Sequence, residues 1–372
     1  MSPTLLYGDS YRNPNLFYAT GFLAPDPIVF LADSEDALLA VPRMEQPRAA
    51  KESRIGDVRS FDELGYQEVV DEGGSAPEAM ARVIREALDG RGEAVRVEPG
   101  FPLLLADLLR SEGLTVSADP DLLVRQRRQK SDREVEALAR AQARAEAAIA
   151  HAIEILREAE VAGDRLVYRG VPLTAERLRG ELEISFIRDG FAAESLIVAP
   201  GPGSSDPHWV GAGPIRPHEP LILDLFPQDR ESRYYGDVTR TVVKGEPPRA
   251  LIDMHSAVLE AQERALALIG PGVNGRDVHQ VVLDVFQEAG YGPDGHRSGR
   301  FTHGTGHGLG LEVHEPPRLS KVDGELLVGD VVTVEPGLYD PQIGGVRIED
   351  VVVVTQDGTR NLNRLPKQLV ID

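Results

Sequence analysis

Over roughly the first 120 residues, short apolar runs alternate with stretches whose apolar positions recur every three to four residues. PIVFLAD and DALLAVP predict a strand hairpin, APEAMARVIREAL a helix, AVRVEP a strand and PLLLADLLRSEG another helix. This is the pattern of a small α/β domain. It ends near residues 119–130, where Ser131 and Glu134 make a capping box, each satisfying the other's orphan backbone donor. The long helix so opened carries Val135, Leu138, Ala145, Ile149, Ala152 and Leu156 as one apolar stripe, with an Arg/Glu-rich outer face. Further helices are expected at about 174–189, 249–269 and 275–289, between apolar strands and the turn signals GPG (201–203) and IGPGVNG (269–275). Two helices and then two strands, occurring twice, predict two similar halves facing each other across a sheet. The expected fold is α/β (α+β), with one domain over 1–122 and a second over 123–372.

A chain of 372 residues exceeds what one core usually organises, which agrees with two domains. Its net charge of −20 repels phosphate backbones and anionic membranes, so neither nucleic acid nor membrane is an expected partner. The basic run RQRRQK (125–130) reads as solvated or linker charge. With no cysteine, disulfides and a thiol nucleophile are both excluded. No cationic start precedes an apolar core of signal length, and no uncharged run approaches the ~18 residues of a spanning helix. The expected location is the cytoplasm.

The chemistry lies in the C-terminal half. LILDLF, YYGDVTRTVV, HGTGHGLGLEVHEPP, VVTVEPGLY and GGVRIEDVVVV each set a polar side chain among apolar or glycine residues: Asp224, Asp237, His307, Glu335 and Glu349. Four carboxylates crowded into one pocket would push one another's pKa upward and take up protons. Two divalent cations cancel that charge, and a water held between them can ionise near neutral pH. One imidazole among oxygen ligands suits Mn, Co, Fe or Zn. Singly, each acid is more simply an edge or capping residue; the five together read as a two-metal hydrolytic site.

At these residues the chain resembles the pita-bread metallopeptidases, in the branch of Xaa-Pro dipeptidases (prolidases), aminopeptidases P and creatinases. HGTGHGLGLEVHEPP, TVEPGLY, VRIED and GDVTRT carry the resemblance over most of residues 120–372, and NLFYATGF matches a segment of the family's extra N-terminal domain. The resemblance implies that Asp224 holds one metal, that Asp237 and Glu349 bridge two, and that His307 and Glu335 complete the other. It implies manganese as the ion, with cobalt, zinc or iron as alternatives, and a homodimer as the assembly. Asp224 and Asp237 stand thirteen apart, wider than the family's usual spacing, so the hairpin FPQDRESRYY reads as longer. If its register were lost, Asp224 would be displaced.

The same resemblance implies that Glu335 shuttles the proton and that His314 contacts the scissile carbonyl, with His208 as a further substrate-binding histidine. Arg318 would grip the free carboxylate of a dipeptide, for which a bidentate guanidinium is suited; a surface salt bridge is the plainer reading. His303, four before His307, mimics a helical zinc motif, but its flanking glycines argue against a helix. It reads either as pocket lining or as a hydrogen-bonded structural histidine. Arg347, beside Glu349, would contact substrate or orient site carboxylates. Tyr234 and Tyr235 read as strand aromatics near the site, and Arg43 and Arg48 as small-domain residues of unknown reach. The implied reaction is hydrolysis of the Xaa-Pro imide bond by a metal-bridging hydroxide, on a dipeptide or, alternatively, on longer Xaa-Pro-Yaa peptides. Rival readings are a peptide-binding module without catalysis and a hydrolase or lyase of another bond on the same fold.

Overall fold

The hairpin of the N-terminal part forms as expected. In the computed structural model, which describes residues 2–34 and 36–372, strands Ile28–Ala32 and Ala37–Val41 pair antiparallel with Phe30 opposite Leu39. They belong to a six-stranded sheet ordered Asp57–Ser60, Ala37–Val41, Ile28–Ala32, Thr4–Gly8, Ala94–Val97, Thr115–Ala118. The alternation of a strand sends Leu5, Val29, Leu31 and Leu38 to one apolar cluster, beneath the helices Ala76–Ala87 and Leu103–Ser111. Leu6, Ile28, Phe30 and Leu39 go to a second, with Leu16 and Phe22. Both faces are covered, which is why these strands read as continuous apolar runs.

Backbone contacts divide the chain into two units, Met1–Arg127 and Arg128–Asp372. The second opens on the helix Asp132–Glu158, where the Ser131 N–H and Oγ both donate to Glu134, at 2.8 and 2.6 Å. Every member of the predicted apolar stripe is buried. This helix and Ala175–Arg188 share a core with strands Ile197–Pro200, Leu221–Leu225 and Val238–Lys244. Helices Arg249–Leu268 and Gly275–Glu288 share a second core with Val331–Val334 and Asp350–Thr355. The first of these sheets has four strands, ending in Val370–Ile371; the other runs Glu315–Leu319, Gly306–Gly308, Val331–Val334, Asp350–Thr355, Gly358–Asn361. Each half is thus a helix pair on a sheet.

The long hairpin keeps its register: Asp224 lies opposite Thr239 and Leu225 opposite Val238. Its extra length is absorbed at the tip, where Asp229 and Tyr234 close the turn and Gln228–Asp229 pairs with Phe191–Ala192. The reading of RQRRQK as solvated charge is corrected. Arg125 is exposed, but Arg127 is buried and donates to Asn15, at 2.9 Å. Arg128 pairs with buried Asp330 at 2.6 Å, and Lys130 with Glu315 at 2.6 Å. These cations leave water because buried carboxylates await them. Among the described residues no helix is long and apolar enough to cross a membrane.

Candidate active site

A cavity of about 690 Å³ in the second unit is lined by ten of the residues singled out above: His208, Asp224, Asp237, His303, His307, His314, Arg318, Glu335, Arg347 and Glu349. Three of its acids come from the ends of strands and one from within a strand: Asp237 lies just before Val238–Lys244, Glu335 just after Val331–Val334, and Glu349 between Gly344–Arg347 and Asp350–Thr355. Asp224 lies within Leu221–Leu225 and keeps its ladder partners Ile197 and Thr239. His307 is the centre of Gly306–Gly308, whose glycines allow close strand approach: a Cβ at Gly306 would lie 1.9 Å from Thr333 O, and one at Gly308 2.3 Å from Pro316 O.

Asp237, His307 and Glu349 each offer an atom within 4.8 Å of the others. His307 Nε2 lies 3.2 Å from Glu335 Oε1 and 3.8 Å from Asp237 Oδ2. Its Nδ1 faces Gly308 O at 3.2 Å, which turns Nε2 toward the carboxylates, where a metal would meet it. Asp224 is held through Oδ2, which accepts from Arg347 at 2.6 Å, while its Oδ1 is buried with no hydrogen-bond partner among the described residues. An orphaned, buried carboxylate oxygen is costly unless a cation meets it.

Electrostatics tell the same story. Burial, and then the charges of Glu349, Asp224 and Glu335, push the Asp237 carboxyl well above its ordinary value. Burial, then Glu335 and Asp224, do the same to Glu349. Burial also acts upward on Glu335, but the hydrogen bond and charge of His307, with His303 and Arg347, bring it down to about 2. Arg347 alone does not neutralise the group. Hard oxygen donors with one imidazole nitrogen turned toward them and an orphaned oxygen fit divalent metal ions.

Several supporting residues were not singled out from the sequence. Gln142, on the long helix, brackets Asp237 by accepting from its N–H at 2.8 Å and donating to its carbonyl at 2.7 Å. Thr239 donates to Glu349 Oε2 at 2.7 Å, and the Glu349 N–H returns to Thr239 O at 3.1 Å. Thr333 Oγ1 accepts from the His307 N–H at 3.0 Å and lies 3.5 Å from Glu335. Gln142 interrupts an otherwise apolar stripe, and that break is the sequence feature by which it was findable. Thr239 and Tyr339 sit inside the matched motifs GDVTRT and EPGLY.

His303 is in a bend, not a helix, and proves to be both of the things considered for it: it lines the cavity and is hydrogen-bonded. Arg347 donates to Tyr339 Oη at 2.9 Å, Tyr339 Oη meets His303 Nε2 at 2.7 Å, and His303 Nδ1 meets Gly304 O at 2.8 Å. The chain of donors assigns the neutral Nδ1–H tautomer to His303. Burial, which outweighs Glu335, holds that imidazole below its ordinary pKa and drives the Tyr339 hydroxyl up to about 12. His314 is exposed on the cavity wall, its ring 4.3 Å from that of His307. Burial and then His307 lower its pKa. Arg318 and His208 are exposed at the same cavity.

The two tyrosines lie just ahead of Asp237 but off the cavity wall: Tyr234 donates to Glu134 of the capping box at 2.7 Å, and Tyr235 forms a β-bridge with Gln228. Within the N-terminal unit, Arg48 is bound to Glu45, Glu52 and the Leu23 carbonyl, and Arg43 is 82% exposed beside a separate apolar cavity.

Comparison with known proteins agrees with this geometry. The Metallopeptidase family M24 model matches residues 136–356, and the Creatinase/Prolidase N-terminal domain matches 10–100. The Xaa-Pro dipeptidase of Pyrococcus horikoshii is 30% identical over 363 residues, covering 96% of this chain and 93% of that protein. The crystal structure of the prolidase from P. horikoshii OT3 superposes with a TM-score of 0.80 at 28% identity, covering 99% of this chain and 95% of that one. An X-Pro aminopeptidase structure from Thermotoga maritima MSB8 also gives 0.80, at 26% identity, covering 100% and 98%. A creatinase-like domain followed by a pita-bread domain is therefore the architecture, and the chain belongs to metallopeptidase family M24.

Proposed function

We propose that this enzyme hydrolyses the Xaa-Pro bond of dipeptides, using two divalent metal ions, manganese in the first instance, held by Asp224, Asp237, His307, Glu335 and Glu349. The observation that carries the reading is the uncompensated acid cluster faced by His307 Nε2, in a cavity whose wall also presents His314 and Arg318. When bound, such ions lower the pKa of water toward neutrality and polarise a carbonyl. Proline's fixed φ and missing N–H deny a general protease its usual backbone grip, so a dedicated pocket is needed.

The residues then divide the work. Arg347 fixes one Asp224 oxygen and leaves the other for the cation. Glu335, ionised at neutral pH, accepts a proton from the attacking water and passes it to the departing proline nitrogen. His314, kept neutral by burial and by His307, donates an N–H to the carbonyl oxygen as charge builds there. Arg318 meets the substrate's free carboxylate, His208 adds a polar contact, and Tyr339, protonated throughout, keeps His303 in its tautomer. The assembly proposed is a homodimer, the commonest closed oligomer.

The test is turnover of a Xaa-Pro dipeptide beside its Xaa-Pro-Yaa counterpart, by protein stripped of metal and refilled with Mn, Co or Zn. Metal-dependent cleavage favouring the dipeptide is the expected result. Preference for the longer peptide would move the assignment to an aminopeptidase, the activity named for the T. maritima structure; no cleavage with any metal would refute both.

A further inference from the structure

We infer that Lys130 is a positioning residue for substrate: its buried ion pair with Glu315 sets the strand that presents His314 and Arg318 to the cavity. The inference rests on the dipeptidase reading above but concerns residues outside the metal cluster. Lys130 Nζ and Glu315 Oε1 are 2.6 Å apart with side chains only 1% and 4% exposed. The carboxylate is seated so closely that a Cβ at Gly310 would fall 2.0 Å from its Oε1. Strand Glu315–Leu319 alternates buried and exposed, with Glu315, Pro317 and Leu319 inward and Pro316 and Arg318 outward. His314, exposed and one residue ahead, continues the outward series, and His314 and Arg318 are the two of that series that line the cavity.

The pairing of that strand is irregular at this end. Gly308 pairs with Glu315 whereas His307 pairs with Arg318, so the ladder breaks between them and leaves Pro316 and Pro317 without register partners. Bulged segments re-aim side chains, and here the side chains re-aimed are the two proposed to hold the scissile carbonyl and the substrate carboxylate. A charge anchored on the opposite face of residue 315 decides where that bulge sits. Lys130 is itself immobilised: its N–H donates to Gly329 O at 3.1 Å, and neighbouring Arg128 holds Asp330 at 2.6 Å and Glu325 O at 2.8 Å. The anchor therefore connects the start of the catalytic unit to its substrate wall.

The experiment measures kcat and KM for a Xaa-Pro dipeptide, metal content per chain and thermal midpoint for the parent, Lys130→Met, Lys130→Arg, His314→Ala and the double variant Lys130→Met/His314→Ala, all well below their midpoints. Expected for Lys130→Met are unchanged metal content, a 10- to 100-fold lower kcat/KM, and partial recovery with Lys130→Arg. In the His314→Ala background the same change should cost at least threefold less than in the parent, because one of the two residues through which it acts is gone. A Lys130→Met enzyme with kcat and KM within twofold of the parent, or losses that multiply fully in the double variant, would overturn the inference and leave Lys130 a stabilising residue only. Should Lys130→Met give no folded protein, Glu315→Gln, which keeps an acceptor for the ammonium but loses the charge, carries the same comparison with His314→Ala. A parent that cleaves no Xaa-Pro dipeptide would instead strike the functional reading itself.

Discussion

Glu349 and Asp350 are consecutive, both are buried, and their carboxyls are shifted in opposite directions. Asp350 accepts from Arg240 at 2.8 Å and from Lys367 at 2.6 Å; burial alone would raise its pKa, but those two cations lower it. Glu349 faces Asp224, Asp237 and Glu335, and burial with that repulsion raises it well above the ordinary range. One residue's step along the chain thus separates an acid compensated by neighbouring cations from one that faces other acids. The same contrast holds between units. In the N-terminal unit the buried polar residues are Ser10, Thr20 and Ser60 with Arg127 at its end, whereas the catalytic unit buries Asp224, Asp237, Glu315, Asp330, Glu349 and Asp350. Buried charge is expensive and is retained where something pairs with it; the pocket is the place where protein alone does not.

The largest effects should come from breaking this pair of neighbours separately. Glu349→Gln, like Asp237→Asn, is expected to lose metal and abolish turnover. It should not lower the thermal midpoint of the metal-free protein, because a neutral amide still accepts from Thr239 and relieves repulsion. Asp350→Asn should do the reverse, keeping metal while costing about 3–5 kcal/mol, since Arg240 and Lys367 are left facing a neutral group. Metal analysis and calorimetry on both variants decide it. A Glu349→Gln protein with full metal and near-parent rate would remove the ligand assignment.

A smaller loss is expected for His314→Ala, which lies on the wall and not in the cluster. Metal content should stay at the parent value while kcat falls by about 10²- to 10³-fold, the usual range for removing one donor to a developing oxyanion. Loss of metal instead would make His314 structural.

Much of this was legible in the chain because five polar residues interrupt apolar or glycine-rich segments; each alone reads as an edge or capping residue, but the five together point to one site. The helices were equally plain: the Ser131–Glu134 box and the stripe from Val135 to Leu156 predicted the helix Asp132–Glu158 without tertiary information. What escaped were contacts made across long sequence separation. Lys130 and Glu315 lie 185 residues apart, so nothing local marked RQRRQK as a source of buried cations. Tyr234 looked like a site aromatic by proximity to Asp237, yet the turn after Asp229 carries its hydroxyl to Glu134 instead. The longer hairpin between Asp224 and Asp237 left open whether Asp224 stays in place. The pairing of Asp224 with Thr239 answers it: insertions at a tip leave the ladder below them intact.

The mildest effect expected is one of pH on the metal-free protein. Asp237 and Glu349 have folded-state values raised above their ordinary ones of 3.8 and 4.5, so their contribution favours folding below that range and is lost as pH rises through the raised values. Glu335, lowered from 4.5 to about 2, acts oppositely, contributing above 4.5 and losing it only as pH falls through about 2. Above the ordinary carboxylate range the two raised groups therefore dominate the change. Metal competes with the same protons, so the gap in thermal midpoint between loaded and stripped protein should widen by several degrees as pH rises there. Glu349→Gln should widen less, having one fewer acid to ionise, while a gap independent of pH in the parent would mean that the pocket's carboxylates do not repel one another and that Glu349 differs little from Asp350 after all.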